Sequence, residues 1–183
     1  MAYKNKLISN PKTGQEIKFL QTAKDTNGQL LQMEVTFGAY SKEPLAHYHP
    51  VQKEVFTVIS GQIQVRLNTE VKILKKGDTL HIDENVVHAM WNNSGTKAVV
   101  NWKVQPALDT EYFLETTTSL ASDGKTNENG VPGILQVAVM AKKFSHVFRL
   151  SKPPFVLQTI LFSLLTPFAL LAGYKPMYKK YID

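Results

Sequence analysis

The sequence contains no cysteine. That excludes a disulfide framework, a thiolate ligand and a cysteine nucleophile, and it removes the usual marker of redox compartment. Its 10 glycines are scattered, so no glycine-rich loop is available to cradle a phosphate. The first twenty residues carry lysines but no long apolar run and no small-residue cleavage site. No secretory leader is therefore expected, and cytoplasmic residence is the expectation. Ser60 and Ser94 fall in turn-like stretches without His and acid partners, which argues against a serine hydrolase. Asp83 and Glu84 are adjacent and would point in different directions, a poor geometry for paired acid–base carboxylates. His81 and His146 fit no ligand spacing, Trp91 and Trp102 read as core residues, and Asn92 reads as a turn-fixing side chain.

Net charge is also missing from most of the chain. Of 21 Lys and Arg, seven lie after residue 133, against one of the 15 Asp and Glu. The net +6 thus belongs entirely to the last fifty residues, and the preceding 133 are neutral. That neutral region has no field with which to steer nucleic acid, so none is expected as a partner. The basic segment is also the most apolar one, which suits a membrane surface better than a polynucleotide.

What is present is His47-Tyr48-His49, followed by Glu54 and, much later, by His88. In an extended strand, residues two apart share a face, so His47 and His49 can present two imidazoles to one point. Glu54 lies far enough along to return on the same strand or its neighbour. Three nitrogens and one carboxylate oxygen suit one divalent transition metal ion (Fe, Mn, Ni, Co, Cu or Zn) and leave coordination positions for water or substrate.

Around these residues runs the pattern His47-x-His49-(x)4-Glu54-(x)6-Gly61, preceded by Gly38 and followed by Gly77-Asp78, His88 and Asn92. This resembles the two short motifs of the cupin superfamily, over about residues 30 to 105. Gly38 stands further from His47 than the family pattern has it, and Asp83 and Asn85 replace the Pro and Gly that precede the last His. Asn85 can still adopt a left-handed turn. The resemblance implies metal ligation by His47, His49, Glu54 and His88 in a double-stranded β-helix, the jelly-roll cupin barrel.

Periodicity agrees with an all-β core. Gln32–Phe37 alternates polar and apolar. Val55–Ile59 and Ile63–Leu67 flank Ser60-Gly61, which reads as a tight hairpin turn. Val71–Leu74, Thr79–Ile82, Val86–Trp91 and Ala98–Val104 complete the strands. The expected organisation is a barrel with N-terminal strands over 1–108, a helix and loop over 109–133, and a basic, apolar helical extension over 134–183.

Asp109 or Thr110 would cap a helix that starts near Thr110, and 116–133, rich in Thr, Ser, Asp, Asn and Gly, reads as a loop. A helix is expected over about Pro132–Val147, stopped by Pro153-Pro154. Phe155–Tyr174 then gives 20 residues without a charge, roughly 30 Å as a helix. Gln158, Thr159, Ser163 and Thr166 fall mainly on one side, opposite a stripe of Leu157, Ile160, Leu161, Leu164, Leu165 and Phe168. Three placements fit: packing on the barrel or across a homodimer, lying on a membrane surface, or spanning a membrane. Packing with dimerisation is the expected one, as an interaction element separate from the metal chemistry.

The resemblance implies a metal-dependent oxidoreductase, of quercetinase-like dioxygenase type, acting on a small organic molecule. Glu54 would be its catalytic base as well as a ligand. An intact ligand set speaks against the metal-free sugar-nucleotide epimerase branch. The alternatives are a non-catalytic metal- or ligand-binding or sensing module, free or delivered to a membrane by the tail, and a metal-dependent isomerase.

Overall fold

The structure, a computed structural model, describes residues 1–182. Two antiparallel sheets face each other across one apolar interior. The six-stranded sheet has the order β1 (Leu7–Asn10), β2 (Gln15–Gln21), β3 (Leu31–Phe37), β10 (Ala98–Gln105), β5 (Lys53–Ser60), β8 (Thr79–Ile82). The five-stranded sheet runs β11 (Arg149–Leu150), β4 (His47–Tyr48), β9 (His88–Trp91), β6 (Gln62–Leu67), β7 (Glu70–Lys75). Strict alternation in β3 buries Leu31, Met33, Val35 and Phe37 against Val58, Ile63, Val65 and Val100 from both sheets. All-β core, jelly-roll layering and C-terminal helices are thus as the sequence reads.

One turn differs. Ser60-Gly61 does not join a hairpin, because β5 pairs with β10 and β8 while β6 pairs with β7 and β9. Gly61 instead carries the chain from one sheet to the other. Its φ is +72°, and a Cβ there would stand 2.7 Å from the Lys97 carbonyl oxygen. The true hairpin lies at Asn68-Thr69, with Asn68 at φ 52°. Asn85 takes the left-handed conformation expected of it, φ 63°. Asn92 is a turn fixer: its amide donates to the carbonyls of Phe37, Gly38 and Thr96, and its oxygen accepts from Ser94.

Four helices follow: α1 (Thr110–Ser122), α2 (Ile134–Lys143), α3 (Phe155–Leu171) and α4 (Lys179–Ile182). Helix α1 runs through residues that read as loop, since Glu115, Thr116, Leu120 and Ala121 are buried on it. Burial overrides the weak helix propensity of Thr and Ser. Asp109 is the N-cap residue, yet its carboxylate makes no cap bond and faces Lys143 and His146.

Helix α3 departs most from expectation. It buries Gln158, Phe162 and Ala169, while Leu157, Ile160, Leu161, Leu164 and Phe168 are exposed. The apolar stripe therefore does not pack on the barrel. Gln158 is inside because its amide donates to the carbonyls of Leu150 and Pro153, which anchors the helix start to the strand before it. Among the described residues no helix is long and apolar enough to cross a membrane.

Candidate metal centre

His47 on β4 sits directly opposite His88 on β9, and His49 follows two residues on, turned to the same side. The ring centroids are 4.4 Å apart for His47 and His88, 5.1 Å for His47 and His49, and 5.3 Å for His49 and His88. One ring nitrogen from each lies within 4.8 Å of the others. Every Nδ1 meets a backbone carbonyl: Leu45 at 3.3 Å for His47, Val147 at 2.5 Å for His49, Val86 at 2.9 Å for His88. Those contacts place the proton on Nδ1 and leave each Nε2 lone pair free.

Glu54 comes from the other sheet. It lies on β5, flanked by Ile82 of β8 and Val104 of β10, and is 1% exposed. Its Oε1 accepts the Trp102 indole N–H at 2.9 Å and stands 3.3 Å from His49 Nε2. Its Oε2 stands 2.9 Å from His88 Nε2. That approach lacks the alignment of a hydrogen bond, so Oε2 and His49 Nε2 remain buried without hydrogen-bond partners. Adjacent ligands around an octahedral ion at about 2.1 Å stand about 3 Å apart. Nitrogen and oxygen atoms at 2.9 and 3.3 Å, with His49 Nε2 and Glu54 Oε2 buried without partners, fit a bound transition metal ion.

The electrostatics are consistent with that fit. Burial, reinforced by His88 and His49, pushes His47 well below its ordinary value of 6.5, so its imidazole is neutral near pH 7. His88 is shifted the other way: burial disfavours its charged form, but the Glu54 carboxylate outweighs that and raises it. Burial would raise Glu54, yet His49, His88 and the Trp102 N–H together hold it below the usual carboxylate range.

The C-terminal extension takes part in this centre. Val147 supplies the acceptor for His49, and Phe148 stacks on the His47 ring at 4.5 Å and on Phe113 at 4.8 Å. Leu150 pairs with His47 across β11 and β4. The reading of the extension as separate from the metal chemistry is thereby corrected. Sequence reasoning placed Trp102 in the core, whereas its indole N–H holds Glu54 at the site. Its signal was its place between Val100 and Val104 on β10, one inward-facing row. Val147 acts through a backbone carbonyl, which no side-chain pattern announces. Above the histidines lies a cavity of about 460 Å³, walled by Phe113 and Leu114 of α1, Met140 of α2, Phe148, and Phe155 and Phe162 of α3.

Fold and site together define a double-stranded β-helix protein with three histidines gathered inside one end. Residues 33–103 match the cupin domain family, and this part of the chain is a cupin domain. It is 39% identical over 57 residues to an oxidoreductase of Arthrobotrys oligospora, a match that spans 31% of this chain and 22% of that protein. Among solved structures it is similar to a predicted oxalate decarboxylase of Thermotoga maritima, at 17% identity and a TM-score of 0.50, over 58% of this chain and 99% of the other. An RmlC-like cupin of Shewanella frigidimarina matches at 20% identity and a TM-score of 0.49, over 61% of this chain and 94% of the other. At 17% identity the likeness to the Thermotoga structure is one of fold. About two fifths of this chain lies outside each structural match.

Proposed function

We propose that this protein is a metal-dependent oxidoreductase of dioxygenase-like type, acting on a small organic molecule, with His47, His49, His88 and Glu54 as ligands. The observation that carries the reading is the convergence of three imidazoles whose Nδ1 atoms all face backbone carbonyls. The short identity to an oxidoreductase supports the class. A bound divalent ion would supply Lewis acidity that polarises a substrate oxygen. The chain supplies the rest. Trp102 holds Glu54 by Oε1, so Oε2 is the oxygen that accepts a substrate proton. Phe148, Phe113 and Trp102 exclude water around it.

Metal analysis of the purified protein, then oxygen uptake over phenolic, thiol and diketone substrates, tests the reading. Metal at about one ion per chain with substrate-dependent oxygen uptake is expected. Turnover without oxygen uptake would favour an isomerase, and metal without turnover a binding module. Protein that takes up no metal would overturn the assignment.

We further propose that α3 lies on an anionic membrane surface. Leu164 and Phe168 are each 65% exposed and Leu171 87%, and the same fifty residues hold the whole net positive charge. A second copy of the chain is the competing occupant. Sedimentation velocity would show a dimer without lipid, and co-sedimentation with phosphatidylserine vesicles would show the membrane contact.

A further inference from the structure

The cavity above the histidines is far larger than a metal and its immediate ligands require, and its walls are uneven in character. Phe113, Leu114, Met140, Phe155 and Phe162 give it an apolar lining. Its hydroxyls are largely turned back on their own helices: Thr117 donates to the Phe113 carbonyl and Thr159 to that of Phe155. They ask little of a ligand. Its volume of about 460 Å³ lies in the range of small-molecule sites.

Charge breaks the pattern. Glu54 is the only acid among the residues that line the cavity, and it is already engaged by His49, His88 and Trp102. Two bases line it, Lys142 and Arg149. Arg149 is the organised one. Its Nε donates to the Ser145 carbonyl at 2.7 Å, and its guanidinium carbon lies 3.7 Å from the centre of the Phe155 ring, another cavity residue. The strand pair β11–β4 sets Arg149 opposite Tyr48, so its side chain leaves the strand on the face away from His47 and His49, toward Ser145 and Phe155 at the helical end of the cavity. Among the described residues no carboxylate pairs with it, and its two terminal nitrogens have no protein acceptor. A guanidinium fixed by Nε and by an aromatic face, with its outer edge free, is shaped for a planar oxyanion.

We infer that the cavity binds a lipophilic carboxylate, its acid group on Arg149 and its apolar body between α2, α3 and Phe148. This rests on the proposed enzymatic reading only in making that molecule the substrate; the binding site stands apart from it. The ligand chemistry follows from two requirements met at once. An apolar neutral molecule would leave Arg149 without an acceptor in a half-buried site, and a small polar anion would leave the apolar walls in water.

Dodecanoate and its methyl ester are suitable probes, titrated calorimetrically into the full chain with metal and again after chelation. Dodecanoate should bind at least about tenfold more tightly than the ester, as expected for a charge-assisted contact. Arg149→Gln should abolish that preference and leave ester binding within about twofold. Ala141→Trp, which fills the cavity, should weaken both ligands. The acid–ester comparison on the unaltered chain needs no variant, so a folding defect in Arg149→Gln cannot mask the result. Equal affinity for acid and ester, or no binding of either, overturns the inference while measured metal content leaves the enzymatic reading intact. Dodecanoate binding by a chain that takes up no metal leaves the inference standing and removes the enzymatic reading instead.

Discussion

The four motif side chains are unequal because each meets a different environment. His47 is held neutral and needs no proton removed before it can donate to a metal, whereas His88 is raised by Glu54. A metal must therefore displace the proton that the nearby Glu54 carboxylate favours on the His88 ring. Because His88 sits above its ordinary 6.5, metal binding near pH 7 should release a proton, and affinity should fall as pH drops through the region where His88 is protonated. Calorimetry in buffers of different ionisation enthalpy measures the release. An affinity independent of pH between about 6 and 8 would contradict this picture. His49→Ala removes one nitrogen from the cluster but leaves both sheets' apolar interior in place. It should stay folded by circular dichroism and lose metal at least about tenfold in affinity; full occupancy in that variant would show that His49 is no ligand.

At the level of elements, the centre depends on segments far from its motifs. The His49 Nδ1 acceptor and the ring stacked on His47 come from Val147 and Phe148, beyond α2. A chain ended at Gly133 keeps all four motif residues yet loses both supports. Its metal affinity should drop roughly 10- to 100-fold; unchanged affinity would mean that the extension plays no part in holding the imidazoles. The crossover at Gly61 is equally exacting, because it combines φ +72° with atoms closer than any Cβ tolerates. Gly61→Ala should cost at least about 2 kcal/mol in urea unfolding, a sum of left-handed strain and displacement of Lys97–Ala98. A loss under about 0.5 kcal/mol would indicate that the neighbouring segment yields freely.

For the molecule as a whole, the division between a neutral barrel and a basic, apolar extension is what the proposed membrane contact rests on. If α3 rests on an anionic leaflet, binding combines apolar burial with an electrostatic part screened over about 10 Å at 0.1 M salt. Vesicle binding should therefore weaken with salt without vanishing. Leu164→Glu with Phe168→Glu, both on the exposed face, should eliminate it while leaving metal content unchanged. Persistent vesicle binding in the double variant would point to another surface.

Much of this architecture was legible in the residues because it follows from local periodicity. Alternation in Leu31–Phe37 and Ala98–Gln105 fixes which side chains enter the barrel, and the His-x-His spacing puts two imidazoles on one side whatever the fold. The fate of Ser60-Gly61 was not local: the same dipeptide serves a hairpin or a crossover, and pairing with distant strands decides between them. Nor could spacing show that Trp102 would reach Glu54, since they meet only when β10 and β5 lie side by side. Which side of α3 faces inward was not legible either, because hydropathy ranks Gln158 as a surface residue while the carbonyls of Leu150 and Pro153 accept from its amide. Periodicity depends on neighbours a few residues away and is written in the chain. The company kept by Val147, Arg149 and the histidines depends on long-range closure of the two sheets under the helices, and only the tertiary structure decided it.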